Sequence, residues 1–449
     1  RSFWYPTWLA QAAAMVPESR LVDAPPHDLS IDTVVATAAE YDMVVMHTST
    51  PSVYRDADTA RRIREVRPDA VIGLVGAHPM VLPEQTLAVA PAADFVTTGE
   101  FEEAVAEIAA GRPLEQVRGI AWRAPDGSVV RNPPRPPIRD LDVLPFVVDV
   151  YARDLDVTKY AIGYLEHPYL SLYTGRGCRS KCTFCLWPQT IAGHVYRTRS
   201  PANVLAEMKR ARELFPQVRE FFFDDDTFTD DRPRAEEIAR GLGRLGLTWS
   251  CNAKANVPLE TLRILKDNGL RLLLVGYESG SQRILNNIRK GTRVDRALRF
   301  AEDCHKLGIL VHGTFVVGLP GETRETIEET IRFAKRADPY SIQVSLAAPY
   351  PGTELYRQAE ANGWLVTDDF SGVVEQRGVQ VAALSYPELS AEEIHAALER
   401  MYRAFYMRPR PILRILRDML RDPVVLRRRL REGREFLSFM TDRRESVNL

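Results

Sequence analysis

Apolar positions recur at helical spacing over residues 5–16, after which short apolar runs alternate with longer amphipathic stretches. The runs fall at 20–23, 41–47, 70–75 and 94–97, and helical spacing covers 31–40, 59–67, 84–90 and 102–109. This alternation predicts a parallel α/β sheet. Because a helix comes first, the pattern places the opening strand of a doubly wound unit before Arg1. Residues 120–131 read as a hairpin turning on Pro125-Asp126-Gly127, and the proline-rich tract 132–137, followed by 141–146, reads as a strap between domains. A second series has runs at 169–173, 220–224, 248–253, 271–276, 310–317 and 341–347, each pair separated by helical sequence. Six such repeats predict a partial (β/α)6 barrel, open where eight would close. After residue 364 the pattern becomes mixed, and from 391 onward it gives three arginine-rich helical stretches. The expected organisation is a Rossmann-like α/β domain over 1–140, a linker over 141–165, the barrel over 166–365 and a mixed, then helical, region over 366–449.

A chain of 449 residues is too long for one ordinary core, in agreement with two large domains and an appendage. The 59 basic and 60 acidic residues nearly cancel, which removes any global electrostatic pull toward nucleic acid. The longest apolar runs, such as 272–275 and 315–317, fall far short of the ~20 residues of a membrane span. No leader-like segment follows Arg1, and the start reads as truncated. Three of the five cysteines lie within eight residues, which argues against a secreted disulfide framework and for a reducing cytoplasm.

Those three thiols stand in Gly175-Arg176-Gly177-Cys178-Arg179-Ser180-Lys181-Cys182-Thr183-Phe184-Cys185, on a loop directly after the first barrel strand. A structural zinc site would want a fourth ligand at short spacing, and His194, nine residues after Cys185, does not complete a usual pattern. Three thiolates on a four-iron cube leave one iron open to a substrate or cofactor. Cys251 and Cys304 are isolated and read as core residues.

The C-x3-C-x2-C spacing, with Phe184 just before the last cysteine, resembles the radical S-adenosylmethionine (SAM) superfamily. The resemblance implies that Cys178, Cys182 and Cys185 hold a 4Fe-4S cluster with Phe184 beside it, and that the open iron chelates SAM. It further implies that one electron from a flavodoxin- or ferredoxin-like donor releases a 5′-deoxyadenosyl radical. Other segments fall where the family places its SAM contacts. Phe223-Asp224-Asp225-Asp226-Thr227-Phe228 resembles the stretch that meets the methionyl amine, although a solvated turn and helix cap is the other reading. Lys254 is placed to pair with the SAM carboxylate or to lie on the surface. Glu278 and Ser279, in Gly276-Tyr277-Glu278-Ser279-Gly280-Ser281, resemble ribose contacts. Gly318 and Pro320, in Val317-Gly318-Leu319-Pro320-Gly321-Glu322, resemble the adenine-side loop. Each segment alone is a weak turn signal; their order at successive strand ends is what makes them a set.

Pro349-Tyr350-Pro351-Gly352-Thr353-Glu354-Leu355-Tyr356 and the leading α/β domain resemble the cobalamin-binding branch of that superfamily. Ligands of such sheets sit beyond the carboxyl ends of the strands. Here the ends read Ala24-Pro25-Pro26-His27, Thr48-Ser49-Thr50-Pro51-Ser52, Gly76-Ala77-His78-Pro79 and Thr98-Gly99-Glu100. The expected cobalamin contacts are therefore Thr48, Ser49, Gly76, Ala77, His78, Thr98, Gly99 and Glu100, with ordinary βα turns as the other reading. The D-x-H-x-x-G motif that supplies an axial histidine is absent, since Asp23 and His27 are four apart with no glycine three beyond. No histidine from that motif is expected on cobalt.

Residues 1–11, 182–190 and 196–200 resemble the hopanoid-biosynthesis radical SAM family more closely still. That resemblance implies a hopanoid lipid substrate and a radical ring contraction of the glucosamine headgroup of bacteriohopanetetrol to the cyclitol ether. A cobalamin-dependent radical C-methyltransferase is the alternative, and a non-enzymic cobalamin or metal sensor is a third reading. Trp187, His194, Tyr196, Arg197 and Arg199 would line a polar pocket or else serve packing and surface charge. Between 400 and 434 arginines are interleaved with apolar residues, as in a helix lying on an anionic membrane or a cap over the barrel. The expected location is cytoplasmic, with peripheral contact at the inner face of the plasma membrane.

Overall fold

The computed structural model describes residues 3–366 and 380–421. The chain divides into two compact units, residues 1–398 and 399–449. The first unit contains two sheets.

In the N-terminal sheet β1 (Met43–His47), β2 (Val71–Val75) and β3 (Phe95–Thr97) are parallel. The hairpin β4 (Ile120–Arg123) and β5 (Val129–Arg131) continues it antiparallel, in the order β1-β2-β3-β4-β5. Helices Ile31–Ala38, Val53–Val66 and Pro83–Val89 close one face around Val35, Ile63, Ile72, Leu74 and Leu87. Helices Thr7–Ala14 and Glu102–Ala109 close the other. Burial on both faces explains the near-continuous apolar run of β2. Its one gap is Gly73, where a Cβ would lie 2.1 Å from the Phe95 ring.

The run at 20–23 forms no strand, contrary to its pattern. The Leu21 N–H donates instead to the Asp154 carboxylate at 2.8 Å, so a side chain outside the sheet takes the donor a ladder would have used.

The second sheet follows the predicted repeats. Its strands are β6 (Tyr169–Leu172), β9 (Glu220–Phe223), β10 (Trp249–Ala253), β11 (Leu270–Glu278), β12 (Leu310–Val317) and β13 (Ser341–Leu346). All pair in parallel in sequence order, and β13 and β6 do not pair among the described residues, so the barrel is open. Amphipathic helices cover its outside. In Val294–Leu307 the residues Ala297, Leu298, Phe300, Ala301 and Cys304 face inward, and the helix stops at Gly308 in the left-handed region. Cys251 and Cys304 are buried core thiols, as their isolation predicts.

A two-residue ribbon, β7 (Gly175–Arg176) against β8 (Arg197–Thr198), joins the two ends of the cysteine segment. The strap between the sheets contains a single turn at Leu141–Val143 and a helix at Val147–Asp154. The first N–H groups of that helix donate to the Glu207 carboxylate, which fills the place of a cap.

Helices Ala391–Tyr406 and Pro409–Arg421 follow the barrel. The remainder of the arginine-rich tail, with Val424, Val425, Leu426 and Leu430, lies outside the described residues. Among the described residues no helix is long and apolar enough to cross a membrane.

Candidate functional site

The cysteine loop is built by backbone contacts that only its sequence permits. Gly177 sits at φ +89°, and a Cβ there would stand 2.3 Å from the Val195 carbonyl, so the loop turns only on glycine. The Gln189 side-chain amide donates to the carbonyls of Cys182, Thr183 and Cys185, and its oxygen accepts the Glu354 N–H at 2.8 Å. One glutamine from the Leu-Trp-Pro-Gln-Thr run therefore ties the loop to the helix Glu354–Asn362. Phe184 packs on Ile284, Leu285, Ile288, Leu319 and Leu355, which excludes water from the loop's inner side.

Cys178, Cys182 and Cys185 are unpaired thiols. Burial pushes the Cys182 and Cys185 thiols up, and Lys290 works in the opposite sense. Lys290 is the site residue that sequence reasoning missed. Its Nζ lies 2.7 Å from Glu278, and both are buried against the loop. Glu278 itself is held at φ +62°, which marks a strained strand end. Gly276 makes room for the pair, since a Cβ there would stand 2.3 Å from Glu278 Oε1 and 2.9 Å from Lys290 Nζ. A lone lysine close after the apolar helix residues Ile284, Leu285 and Ile288 was the available signal.

The three aspartates at the end of β9 have three separate roles. Asp225 is fully buried and accepts from the Thr174 N–H at 2.5 Å, the Thr174 hydroxyl at 2.7 Å and the Tyr196 hydroxyl at 2.8 Å. It anchors the strand that leads to the cysteines, and that anchor takes three of its acceptor sites. Asp226 accepts the Gly177 N–H at 3.0 Å, and burial raises its carboxyl to about 6. Asp224 accepts from Asn252 at 3.0 Å and from the Tyr173 hydroxyl at 3.4 Å, and burial raises it to about 7.

Several expected contacts are already committed elsewhere. Lys254 is partly buried and pairs with Asp230 at 2.7 Å. The Ser279 hydroxyl lies 3.0 Å from that of Thr330 and accepts the Ser281 N–H, which braces the turn. Gly318 donates to the buried Glu322 at 2.7 Å and accepts from Tyr386 at 2.8 Å, and a Cβ on it would meet Ile394 at 2.9 Å. The Pro320 carbonyl accepts from Asn287 at 3.2 Å. His194 spends Nδ1 on the Ser180 carbonyl at 2.9 Å, Tyr196 is buried on Asp225, and Arg199 pairs with Glu207 at 2.5 Å. All three thus have partners within the chain, and Arg199 also lines a cavity with Trp8, Tyr173 and Arg176. Trp187 is the exposed member of that group, its ring parallel to Trp8 at 6.4 Å between centroids.

At the carboxyl ends of β1 to β3 the expected cobalamin contacts divide in the same way. The Thr48 and Thr97 hydroxyls are buried without a hydrogen-bond partner among the described residues, although Thr48 lies beside the Asp56 carboxylate. Gly76, at φ +121°, admits no Cβ, which would stand 2.7 Å from the Thr48 carbonyl. Ala77 and His78 open the short helix Ala77–Val81, where burial lowers His78 to about 4 and Thr50 lies 3.0 Å from its Nδ1. Ser49 bonds with Ser52 at 2.8 Å, the Thr98 N–H donates to the Gly119 carbonyl, and Gly99 faces open space.

Glu100 departs from expectation. Burial would push its carboxyl up, but Arg197 and Arg176 hold it below the usual carboxylate range. Arg197 pairs with it at 2.6 Å, and Arg176, which also lies over the Trp8 ring, reaches both Glu100 and Glu102. The acid is thus a bolt between the N-terminal domain and the cysteine ribbon, and its charge is spent there.

This combination fits the implied groups. A buried Thr97 hydroxyl without a partner among the described residues, and a strand end at Gly76 that admits no Cβ, suit the backbone-hugging approach of a large flat ligand. Among the described residues no three His, Cys, Asp or Glu side chains gather on a single ion. Three corners of a cube do not require them to.

A curled parallel half-barrel with a three-thiol loop at its mouth, preceded by an open α/β sheet, defines a cluster-carrying enzyme of the radical SAM type. Residues 172–334 match the radical SAM superfamily and residues 1–109 match the B12 binding domain. The chain is 30% identical over 422 residues to an uncharacterized methyltransferase of Pyrococcus horikoshii, covering 91% of this chain and 89% of that protein. It is 28% identical to the hopanoid C-3 methylase of Methylococcus capsulatus over 52% of this chain and 44% of the other. The fold is that of TsrM from Kitasatospora setae, a radical SAM methyltransferase solved with cobalamin and a [4Fe-4S] cluster, with a TM-score of 0.70 at 17% identity over 89% of this chain and 86% of that one. This chain belongs to the radical SAM superfamily, in the branch that carries a B12 binding domain. Its cofactors are accordingly a 4Fe-4S cluster, SAM and cobalamin.

Proposed function

We propose that this protein is a cobalamin-dependent radical SAM methyltransferase acting on an unactivated carbon of a hopanoid-type lipid. The full-length similarity to a methyltransferase carries the reaction type, and the similarity to a hopanoid methylase supports the substrate class. When bound, cluster and SAM supply hydrogen-atom abstraction and cobalamin supplies the methyl group. The chain's own residues do the rest. Cys178, Cys182 and Cys185 hold the cluster, Phe184 and its apolar neighbours keep water from its inner side, and Lys290 offsets thiolate charge while Glu278 fixes Lys290. Asp224, raised to about 7, is suited to hold or release a proton at its carboxylate within the barrel. A low-potential flavodoxin- or ferredoxin-like donor provides the electron.

Ring contraction of a glucosamine headgroup to a cyclitol ether is the second reading. It is favoured by the run Cys182-Thr183-Phe184-Cys185-Leu186-Trp187-Pro188-Gln189-Thr190, which resembles the hopanoid family that does this chemistry. One anaerobic assay separates the two. Reconstituted protein receives SAM deuterated in its methyl group, a reductant, and either bacteriohopanetetrol or its glucosaminyl derivative, and both lipid and nucleoside products are followed by mass spectrometry. Methyl transfer gives a deuteromethylated lipid with S-adenosylhomocysteine. Rearrangement gives a lipid with its carbon count unchanged and 5′-deoxyadenosine without S-adenosylhomocysteine. An unlabelled, unrearranged lipid from both substrates overturns the hopanoid assignment.

A further inference from the structure

The sequence lacks the motif that ordinarily brings a histidine to cobalt, yet the fold sets a different histidine at the place where one would act. His47 is the last residue of β1, at the carboxyl end of the strand, where ligands of an open α/β sheet bind. Alternation along the strand puts Met43, Val45 and His47 on one face. Met43 and Val45 pack in the same cluster as Ile191 and Ala192, which follow the cysteine loop. His47 therefore continues the face that the N-terminal domain turns toward the cluster-bearing segment, one step nearer the open end.

The side chain is exposed and makes no hydrogen bond among the described residues. Its Nε2 lies 3.0 Å from where a Gly76 Cβ would stand, so the strained glycine at φ +121° is what leaves room beside the ring. The buried Thr97 hydroxyl, without a partner among the described residues, stands at the end of β3 in the same sheet. With no hydrogen bond on either ring nitrogen among the described residues, the imidazole has a lone pair free for a metal. His78, the other histidine of these loops, has Nδ1 committed to Thr50.

We propose that the imidazole of His47 is a protein ligand to the cobalt of the cobalamin held by the N-terminal domain. A neutral imidazole is a common metal ligand, and here it replaces the missing motif histidine from a different strand end. The inference rests on cobalamin occupying this domain.

The test needs no turnover. Full-length protein is produced with nitrogen-15 histidine, loaded with cob(II)alamin, and examined by electron paramagnetic resonance. A histidine on cobalt splits the high-field lines into doublets, whereas the cofactor's own nitrogen-14 base splits them into triplets. Doublets are expected, they should vanish in His47→Gln with cobalamin still bound, and they should persist in His78→Gln. Triplets or unsplit lines in the loaded wild-type protein overturn the ligation while leaving the cofactor assignment intact. Doublets lost in His78→Gln, or retained in His47→Gln, overturn it as well. Failure of the wild-type chain to bind cobalamin at all overturns the cofactor assignment together with this inference.

Discussion

Replacing Asp225 by asparagine or alanine tests whether the cysteine loop is held by the carboxylate beneath it. The buried group accepts three hydrogen bonds, one from a backbone N–H and two from hydroxyls. In Asp225→Ala all three donors lose their acceptor, at about 1–3 kcal/mol for each that stays unsatisfied; the two hydroxyls can turn elsewhere, so the expected cost is about 3–5 kcal/mol. In Asp225→Asn the amide oxygen keeps the Thr174 N–H, and its NH2 donates to hydroxyls that can accept. What is lost is the charge assistance, about 1–2 kcal/mol, and the smaller figure is favoured because burial already opposes the charge. Thr174 lies four residues before Cys178, so the damage is local. Amide hydrogen exchange at Thr174, and irons bound per chain after anaerobic reconstitution, should rank wild type above Asn above Ala. An alanine variant with wild-type protection and full iron would refute the anchoring role. An asparagine variant as impaired as alanine would refute the hydrogen-bond accounting.

The Glu322 carboxyl is raised by burial to about 7 from 4.5. It binds its proton more tightly folded than unfolded, so its contribution is largest below about pH 4.5 and declines as pH rises to about 7, by about 3 kcal/mol in all. Glu322→Gln is neutral throughout, and its urea midpoint relative to wild type should rise between about pH 5 and about pH 7.5; parallel curves would contradict this. Lys290→Met strands the buried Glu278 carboxylate and should cost about 3–5 kcal/mol, much of it regained in the Lys290→Met, Glu278→Gln double variant, as a double-mutant cycle of denaturation midpoints would measure. Gly76→Ala should lower bound cobalamin and leave iron content intact, whereas Gly177→Ala should do the reverse, each assayed on the purified chain by absorbance and metal content. On the exposed apolar residues Leu413, Leu416 and Leu420 of the helix Pro409–Arg421, deletion of everything after residue 408 should abolish binding to anionic vesicles; unchanged sedimentation with vesicles would remove the membrane from consideration.

Which residues could be read ahead of the structure follows from how far away their partners lie. The strands of both sheets were legible because a parallel strand covered on two faces must be apolar almost throughout, a property each run carries by itself. Residues 20–23 carry the same mark and form no strand, since a run cannot report whether a sheet edge is present to pair with it. Cys178, Cys182 and Cys185 announce themselves by spacing within one loop, and Gly76 and Gly177 occupy turns where glycine is expected. Glu100 looked like a ligand contact because it ends a strand in a small-residue turn, but its charge is taken by Arg197, 97 residues further along the chain. The partners of Lys254 and Ser279 were likewise out of reach of the sequence, since Asp230 and Thr330 meet them only across element boundaries. His47 is the converse case. It had no motif to recommend it, and only folding revealed a side chain with no hydrogen-bond partner among the described residues at a strand end. A residue type at a strand end thus identifies a set of candidates, and the absence of a competing long-range partner selects among them. By that criterion His47 is where a substitution should change cofactor chemistry before it changes the fold.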